Sequence, residues 1–260
     1  LVPEKYKGIE KVVLLYDAPH PDVRFLKDVL EANKNFETKI SRWADWSGSL
    51  SVYDMVILHG IPSVKDKSRS ADLIRFVKDA KAVWFITTTN TDQVLLNDAQ
   101  SLVKLEVSNK TANEVLPRFE SAFSRFSVSN TALQWLNEVP PLVAPYGNHV
   151  INAGTEVVWY QNIGKVSTKL PLLVTGGNEK KRAVLLGEGI WRWAMQEQLR
   201  QSVQDNTTEW VDRLIQYLAV KSDQRPFRLR AGKDVYNEGE SVTLDASLFN
   251  ASYQLINEPD

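Results

Sequence analysis

The chain has 260 residues, a formal net charge of -1, and 43% hydrophobic against 24% charged residues, a globular composition sized for one large domain or one domain with part of another. Its lysines and arginines are scattered, so the concentrated basic face that a phosphate backbone needs is missing and nucleic acid is excluded as a partner. Cysteine is absent, which removes disulfides, thiolate metal sites and a cysteine nucleophile, and no apolar run approaches the roughly 20 residues of a membrane span.

In chain order, Lys11-Val12-Val13-Leu14-Leu15-Tyr16 is a continuous apolar run with β-branched content, as expected of a strand buried on both faces of a parallel sheet. A turn with two prolines follows, Asp17-Ala18-Pro19-His20-Pro21-Asp22. Val23, Leu26, Val29 and Leu30 then recur at helical spacing, and Asn33 closes the helix. Glu37 to Trp43 is expected to be a second strand. Met55 to His59 is a third, stopped by Gly60-Ile61-Pro62. Leu73, Ile74, Phe76 and Val77 predict a helix from about Ser70 to Ala80, and Ala82 to Ile86 a fourth strand. After the turn Thr87-Thr88-Thr89-Asn90, a short helix is expected over Thr91 to Asn97. Strands alternating with helices imply a mainly parallel α/β sheet.

The middle of the chain is less regular. Thr131 to Glu138 reads as helix, ending before Pro140-Pro141, and Glu156 to Gln161 as strand. Leu170 to Thr175 and Arg182 to Leu186 flank Gly176-Gly177-Asn178, a hairpin signal that adds an antiparallel portion. The basic run Lys180-Lys181-Arg182 falls in that turn and reads as solvated. Two helices follow, about Trp191 to Gln201 and Thr207 to Val220, the second capped by Thr207 or Thr208. Phe227 to Arg230 and Ser241 to Ala246 then alternate with period two around the turn Tyr236 to Glu240, and Phe249 to Tyr253 continues the pattern. This predicts the opening strands of a truncated β-sandwich. The expectation is that both ends are cuts in a longer polypeptide. The paired tryptophans, Trp43 with Trp46 and Trp191 with Trp193, suit core packing more than sugar stacking.

The strand, the Pro19-His20-Pro21-Asp22 turn and its helix, followed by Tyr53-Asp54-Met55-Val56-Ile57-Leu58-His59-Gly60, resemble the class I glutamine-amidotransferase-like superfamily. The ending Gly187-Glu188-Gly189-Ile190-Trp191-Arg192-Trp193, with helices and a sandwich opening after it, resembles more closely the amidotransferase-like domain of large membrane-anchored bacterial proteins, in which extracytoplasmic β-domains follow. The resemblance covers about residues 5 to 255 and rests mostly on the order of elements. It implies a doubly wound, flavodoxin-like α/β domain over 1–223 and the start of an immunoglobulin-like β-sandwich over 224–260. It further implies a periplasmic or extracytoplasmic location, tethered to a membrane through parts of the parent protein outside this chain.

In the catalytic members of that superfamily a cysteine stands on a tight strand-to-helix turn, with backbone N–H groups aimed at the developing oxyanion. The matching turn here is Thr87-Thr88-Thr89-Asn90, without a thiol. The family's histidine base belongs near the last strand, where Leu185 to Trp191 offers a glutamate and no histidine. A threonine hydroxyl without an adjacent base is no nucleophile, so amidotransferase chemistry is not expected and no catalytic residue is assigned.

Open α/β sheets bind ligands beyond the carboxyl ends of their strands, where strand order reverses. A flavodoxin-like order brings His20, Asp22, His59, Thr88, Thr89 and Asn90 to that crevice as candidate ligand-binding residues. Two readings stay open. One is a polar ligand or a metal, since histidine nitrogen with carboxylate oxygen suits zinc or a similar ion. The other, on which no metal and no cofactor is expected, has His20 capping the helix at Pro21 and His59 bonding backbone carbonyls in a tight turn. His149 is placed on the surface, and Glu188 with Arg192 reads as a surface pair one helical turn apart. The functional expectation is a non-catalytic binding or scaffolding domain, its partner an unknown protein or a small polar ligand. The alternative is a hydrolase or carbohydrate-active enzyme working at the same crevice.

Overall fold

The computed structural model describes residues 10–106, 112–201, 204–219, 227–231, 239, 241–242 and 244–248. The chain divides into two compact units, Leu1–Val220 and Lys221–Asp260. In the first, the elements are β1 (Glu10–Tyr16), α1 (Pro21–Ala32), β2 (Phe36–Arg42), β3 (Met55–His59), α2 (Lys67–Asp79), β4 (Ala82–Ile86), α3 (Gln93–Ala99), β5 (Val103–Lys104), β6 (Asn113–Phe119), α4 (Asn130–Trp135), β7 (Leu142–Ala144), β8 (Val150–Ile151), β9 (Thr155–Ile163), β10 (Val166–Gly176), β11 (Lys181–Leu185), α5 (Trp191–Leu199) and α6 (Asn206–Ala219). The second unit contains β12 (Phe227–Ala231) and β13 (Leu244–Leu248).

A nine-stranded sheet runs in the order β2-β1-β3-β4-β11-β10-β9-β6-β7. From β2 to β11 its strands are parallel; from β11 to β7 each neighbour is antiparallel to the last. The fold is thus the expected doubly wound α/β sheet with an added antiparallel portion. The apolar runs of β1, β3 and β4 are buried because both sheet faces are covered. Val12, Leu14, Met55, Ile57, Trp84 and Ile86 pack on one face with α1, α4, α5 and α6. Val13, Leu15, Val56, Leu58, Val83 and Phe85 pack on the other with residues of α2 and α3. Period-two alternation sends successive side chains to opposite faces, so each of these strands serves two cores.

All the tryptophans but Trp191 are buried. Trp159 lies 5.5 Å from Trp193 and 5.0 Å from Trp210 between ring centroids, which ties β9 to α5 and α6. The core-packing expectation for Trp193 therefore holds.

Several local expectations are corrected. The helix after α5 begins at Asn206, and its N-terminus is capped by the buried Glu197 of α5, whose carboxylate accepts from the Asn206 and Thr207 N–H groups (2.8 and 3.1 Å). Thr207 instead accepts from Trp135 Nε1 at 2.9 Å. The basic turn is not simply solvated. Arg182 donates to the carbonyls of Val77, Ala80, Lys81 and Lys181, stapling the end of α2 to β11. Burial brings its pKa down to about 10, so it stays charged at neutral pH. The irregular middle holds β6 and β7, which carry no clear strand pattern.

In the second unit, β12 and β13 form an antiparallel pair with Phe227 opposite Leu248. Two paired strands are established, not a sandwich. The expected continuation at 249–253 and most of the expected turn at 236–240 lie outside the described residues. Among the described residues no helix is long and apolar enough to cross a membrane.

Candidate functional site at the carboxyl ends of the parallel strands

Strand order reverses between β1 and β3, since the chain steps outward from β1 to β2 and then returns to the other side of β1. The loops that follow β1, β3, β4 and β11 converge beyond this point. His20 sits in the loop after β1, His59 is the last residue of β3, and Glu188 follows β11.

Asp22 organises the cluster. It is fully buried in the first turn of α1. Its Oδ2 accepts from Gly189 N at 2.7 Å and its Oδ1 from Trp191 N at 2.8 Å, so the first βα turn is tied to the last. His59 Nε2 lies 3.5 Å and His20 Nδ1 3.4 Å from Asp22 Oδ2. Burial alone would raise the Asp22 carboxyl, but hydrogen bonds from His59 and the two backbone N–H groups outweigh it and hold the group below its ordinary value.

His20 does cap α1: its Nδ1 accepts from Asp22 N at 3.1 Å. That bond leaves the proton of a neutral ring on Nε2, which faces Glu188 Oε2 at 3.5 Å. Burial pushes the His20 pKa down, against the pull of the Asp22 and Glu188 carboxylates, so the ring is neutral at neutral pH. His20 and His59 rings are 4.8 Å apart. His59 pairs with the Asp22 carboxylate, not with backbone carbonyls in a tight turn.

Glu188 is the member that its sequence context hides. It is not on a helix with Arg192: it forms an isolated antiparallel bridge with Val143, while α5 begins at Trp191. Its side chain is only 14% exposed, and Oε1 accepts from Thr89 N at 3.3 Å. Arg192 donates to Pro141 O. Gly189 adopts φ +109°, and a Cβ there would stand 2.6 Å from Arg192 Nη2, so only glycine lets this loop present its N–H to Asp22. Gly187 and Gly189, either side of Glu188, are the sequence signal that the helical reading overlooks.

The threonine turn contributes mainly backbone. Thr88 Oγ1 accepts from Asn90 N, and Thr91 Oγ1 from Thr88 N; Asn90 O accepts from Val64 N. Gly60, at φ +69°, lies against this turn, where a Cβ would come 3.0 Å from Thr88 Oγ1. Among the described residues no histidine nitrogen is hydrogen-bonded to a serine or threonine hydroxyl. His149 stands apart and is not on the surface: it is 4% exposed, with Nε2 3.1 Å from Pro145 O.

His20, Asp22 and His59 form a group whose ligating atoms lie within 4.8 Å of one another. Chemically the crevice can hold a cation, or a polar group that exchanges hydrogen bonds with His20 and Glu188.

No protein-family model matches the chain, and no curated protein matches it in sequence. Solved structures similar to it include PurLQS from Thermotoga maritima, at 18% identity and TM-score 0.47 over 79% of this chain and 97% of that one. An exo-β-1,4-mannosidase from Opitutaceae bacterium strain TAV5 matches at 15% identity and TM-score 0.46, over 79% of this chain but 36% of its own. An α-L-fucosidase isoenzyme 2 from Paenibacillus thiaminolyticus matches at 11% identity and TM-score 0.48, over 85% of this chain and 34% of its own. The chain thus spans about a third of the length of the two glycosidases. Such likenesses assign no activity or ligand to it.

Proposed function

We propose that the chain is a non-catalytic binding domain that takes a small polar or ionic ligand at the mouth formed by His20 and Glu188. On the resemblance described above, it would serve an exported, membrane-anchored bacterial protein. One observation carries the reading: a buried polar cluster stands at the carboxyl ends of the parallel strands, and among the described residues no nucleophile–base pair accompanies it. In the turn that occupies the place of a nucleophile, Thr88 Oγ1 accepts from Asn90 N and Thr87 Oγ1 is buried without a hydrogen-bond partner, so neither hydroxyl has a base in place to activate it. Asp22 and His59 are fixed and buried; His20 and Glu188 are the members that solvent reaches.

The test is thermal melting against sugars, amino acids, peptidoglycan fragments and divalent metals, in wild type and Glu188→Gln, with each compound assayed for consumption. A ligand at 100 times its dissociation constant stabilises by about 2.7 kcal/mol, which raises the midpoint by roughly 5 to 10 °C for a unit of this size. The expected result is a shift lost in Glu188→Gln, with the compound recovered intact. Turnover that disappears in Glu188→Gln would move the protein to the hydrolase alternative. Absence of a shift with every compound would remove the binding site.

A further inference from the structure

We infer that the ligand is a single divalent transition metal ion of the zinc class, held by His20, Asp22 and His59 with Glu188 orienting the His20 ring; this deepens, and rests on, the binding function proposed above. The separations between partners are the first argument. His59 Nε2 stands 3.5 Å and His20 Nδ1 3.4 Å from Asp22 Oδ2. Charge-assisted hydrogen bonds close to about 2.7–2.9 Å, so neither of these pairs is drawn in as such a bond would draw it. Bonds of about 2.0–2.2 Å from a tetrahedral ion put its ligands roughly 3.3–3.5 Å apart, which is the spacing seen here.

Donor chemistry agrees. Two imidazoles with a carboxylate suit zinc and its neighbours better than magnesium or calcium, which favour all-oxygen shells. His20 would give the Nδ1 lone pair, which the Asp22 N–H now occupies, and keep its proton on Nε2 toward Glu188. Asp22 Oδ2 accepts one backbone N–H and has a second lone pair, which faces His59 Nε2. Glu188 Oε1 accepts from Thr89 N and leaves Oε2 toward His20. The bonds from Gly189 and Trp191 to Asp22 are the kind of support that orients a ligating carboxylate.

Charge is the third argument: the carboxylates of Asp22 and Glu188 both face the histidines of this crevice. The ligating atoms of His20, Asp22 and His59 lie within 4.8 Å of one another, so the widest pair closes by at most about 1.4 Å to reach the roughly 3.4 Å of a tetrahedral ion, a movement that falls to the part-exposed His20 ring.

The experiment titrates metal-free protein with Zn²⁺ by calorimetry and with Co²⁺ by visible absorption, whose bands report the geometry of the ion. The accessible donor and the carboxylate that orients it are changed, His20→Gln and Glu188→Gln, so that the buried donors keep the fold; His149→Gln serves as control. Binding of one ion per chain is expected, weakened at least tenfold in each of the first two variants and unchanged in the third. Failure of both ions to bind overturns the inference, as does equal binding in His20→Gln or loss in His149→Gln. If an organic compound shifts the melting point through Glu188 while neither metal binds, the metal inference falls and the binding function stands. If nothing binds at all, both fall.

Discussion

Replacing Asp22 with asparagine keeps the shape of the side chain and changes only its hydrogen-bonding capacity. The carboxylate now accepts from two backbone N–H groups, Gly189 at 2.7 Å and Trp191 at 2.8 Å, in a fully buried place. An amide has one oxygen, so one N–H is kept and the other meets an NH₂ group that cannot accept. A stranded buried donor costs about 1–3 kcal/mol. The surviving bond loses its charge, worth on the order of 1 kcal/mol more. The predicted loss is about 3 kcal/mol, equivalent to roughly 6–12 °C in the melting midpoint of a unit this large. Melts followed by circular dichroism in EDTA exclude any contribution from bound metal, and urea titration should show a lower midpoint with an unchanged slope. Amide exchange should report faster opening at Gly189 and Trp191. A midpoint within about 2 °C of wild type, with those two amides equally protected, would refute the idea that this carboxylate clasps the first βα turn to the last.

Three further outcomes are expected. Glu197→Ala leaves the Asn206 and Thr207 N–H groups without their acceptor and should cost about 2–4 kcal/mol in urea, with Glu197→Gln recovering part of it; a loss under 0.5 kcal/mol would reject the cap. Arg182→Met should destabilise by about 2–3 kcal/mol, and Arg182→Lys should restore little, because an ammonium cannot span the Val77, Ala80 and Lys81 carbonyls as the guanidinium does; full rescue by lysine would show that charge alone matters. Burial depresses the folded-state pKa of His149 below its ordinary 6.5, against pulls from Pro145 O and Glu106. The unfolded chain therefore takes up that proton more readily, so the stability this group contributes is complete above about pH 6.5 and is lost as pH falls toward its lowered pKa. Urea midpoints of His149→Gln should decline less than those of wild type between pH 7 and 5; parallel declines would exclude His149 as a source of the slope.

The legible parts of the fold are those in which one physical cause dominates the sequence. β1, β3 and β4 are covered on both faces, so their residues are apolar without interruption, and turn residues bound each run. β6 reads Asn113-Glu114-Val115-Leu116-Pro117-Arg118-Phe119, with a proline and three polar or charged residues among seven. Its existence depends on pairing with β9 and β7, which no local pattern announces. The same division holds in the crevice. His20, Asp22 and His59 followed from topology, because strand order alone brings the ends of β1 and β3 together. The partners of Asp22 are backbone N–H groups 167 and 169 residues away, and a backbone group carries no residue-type signal. Glu188 was obscured by a false period: four residues before Arg192 it imitates a helical ion pair, whereas the conformation of Gly189 places it outside the helix.

The arrangement of the cluster also bears on whether it is a site or only a clasp. A purely structural network gains by being closed, since every buried polar group then finds a partner at hydrogen-bonding distance. Here the inner half obeys that rule: Asp22 makes two short bonds to backbone. The outer half does not, because His20 and Glu188 face each other at 3.5 Å while remaining part-exposed. Variants of the two halves should therefore separate. Asp22→Asn changes stability, whereas Glu188→Gln, which leaves the clasp intact, should change ligand affinity with a far smaller effect on unfolding; His20→Gln, which also removes the α1 cap, should lose about 1 kcal/mol besides. A fold that needed the outer pair for its own stability would lose both together, and that coupling is what a mere clasp predicts.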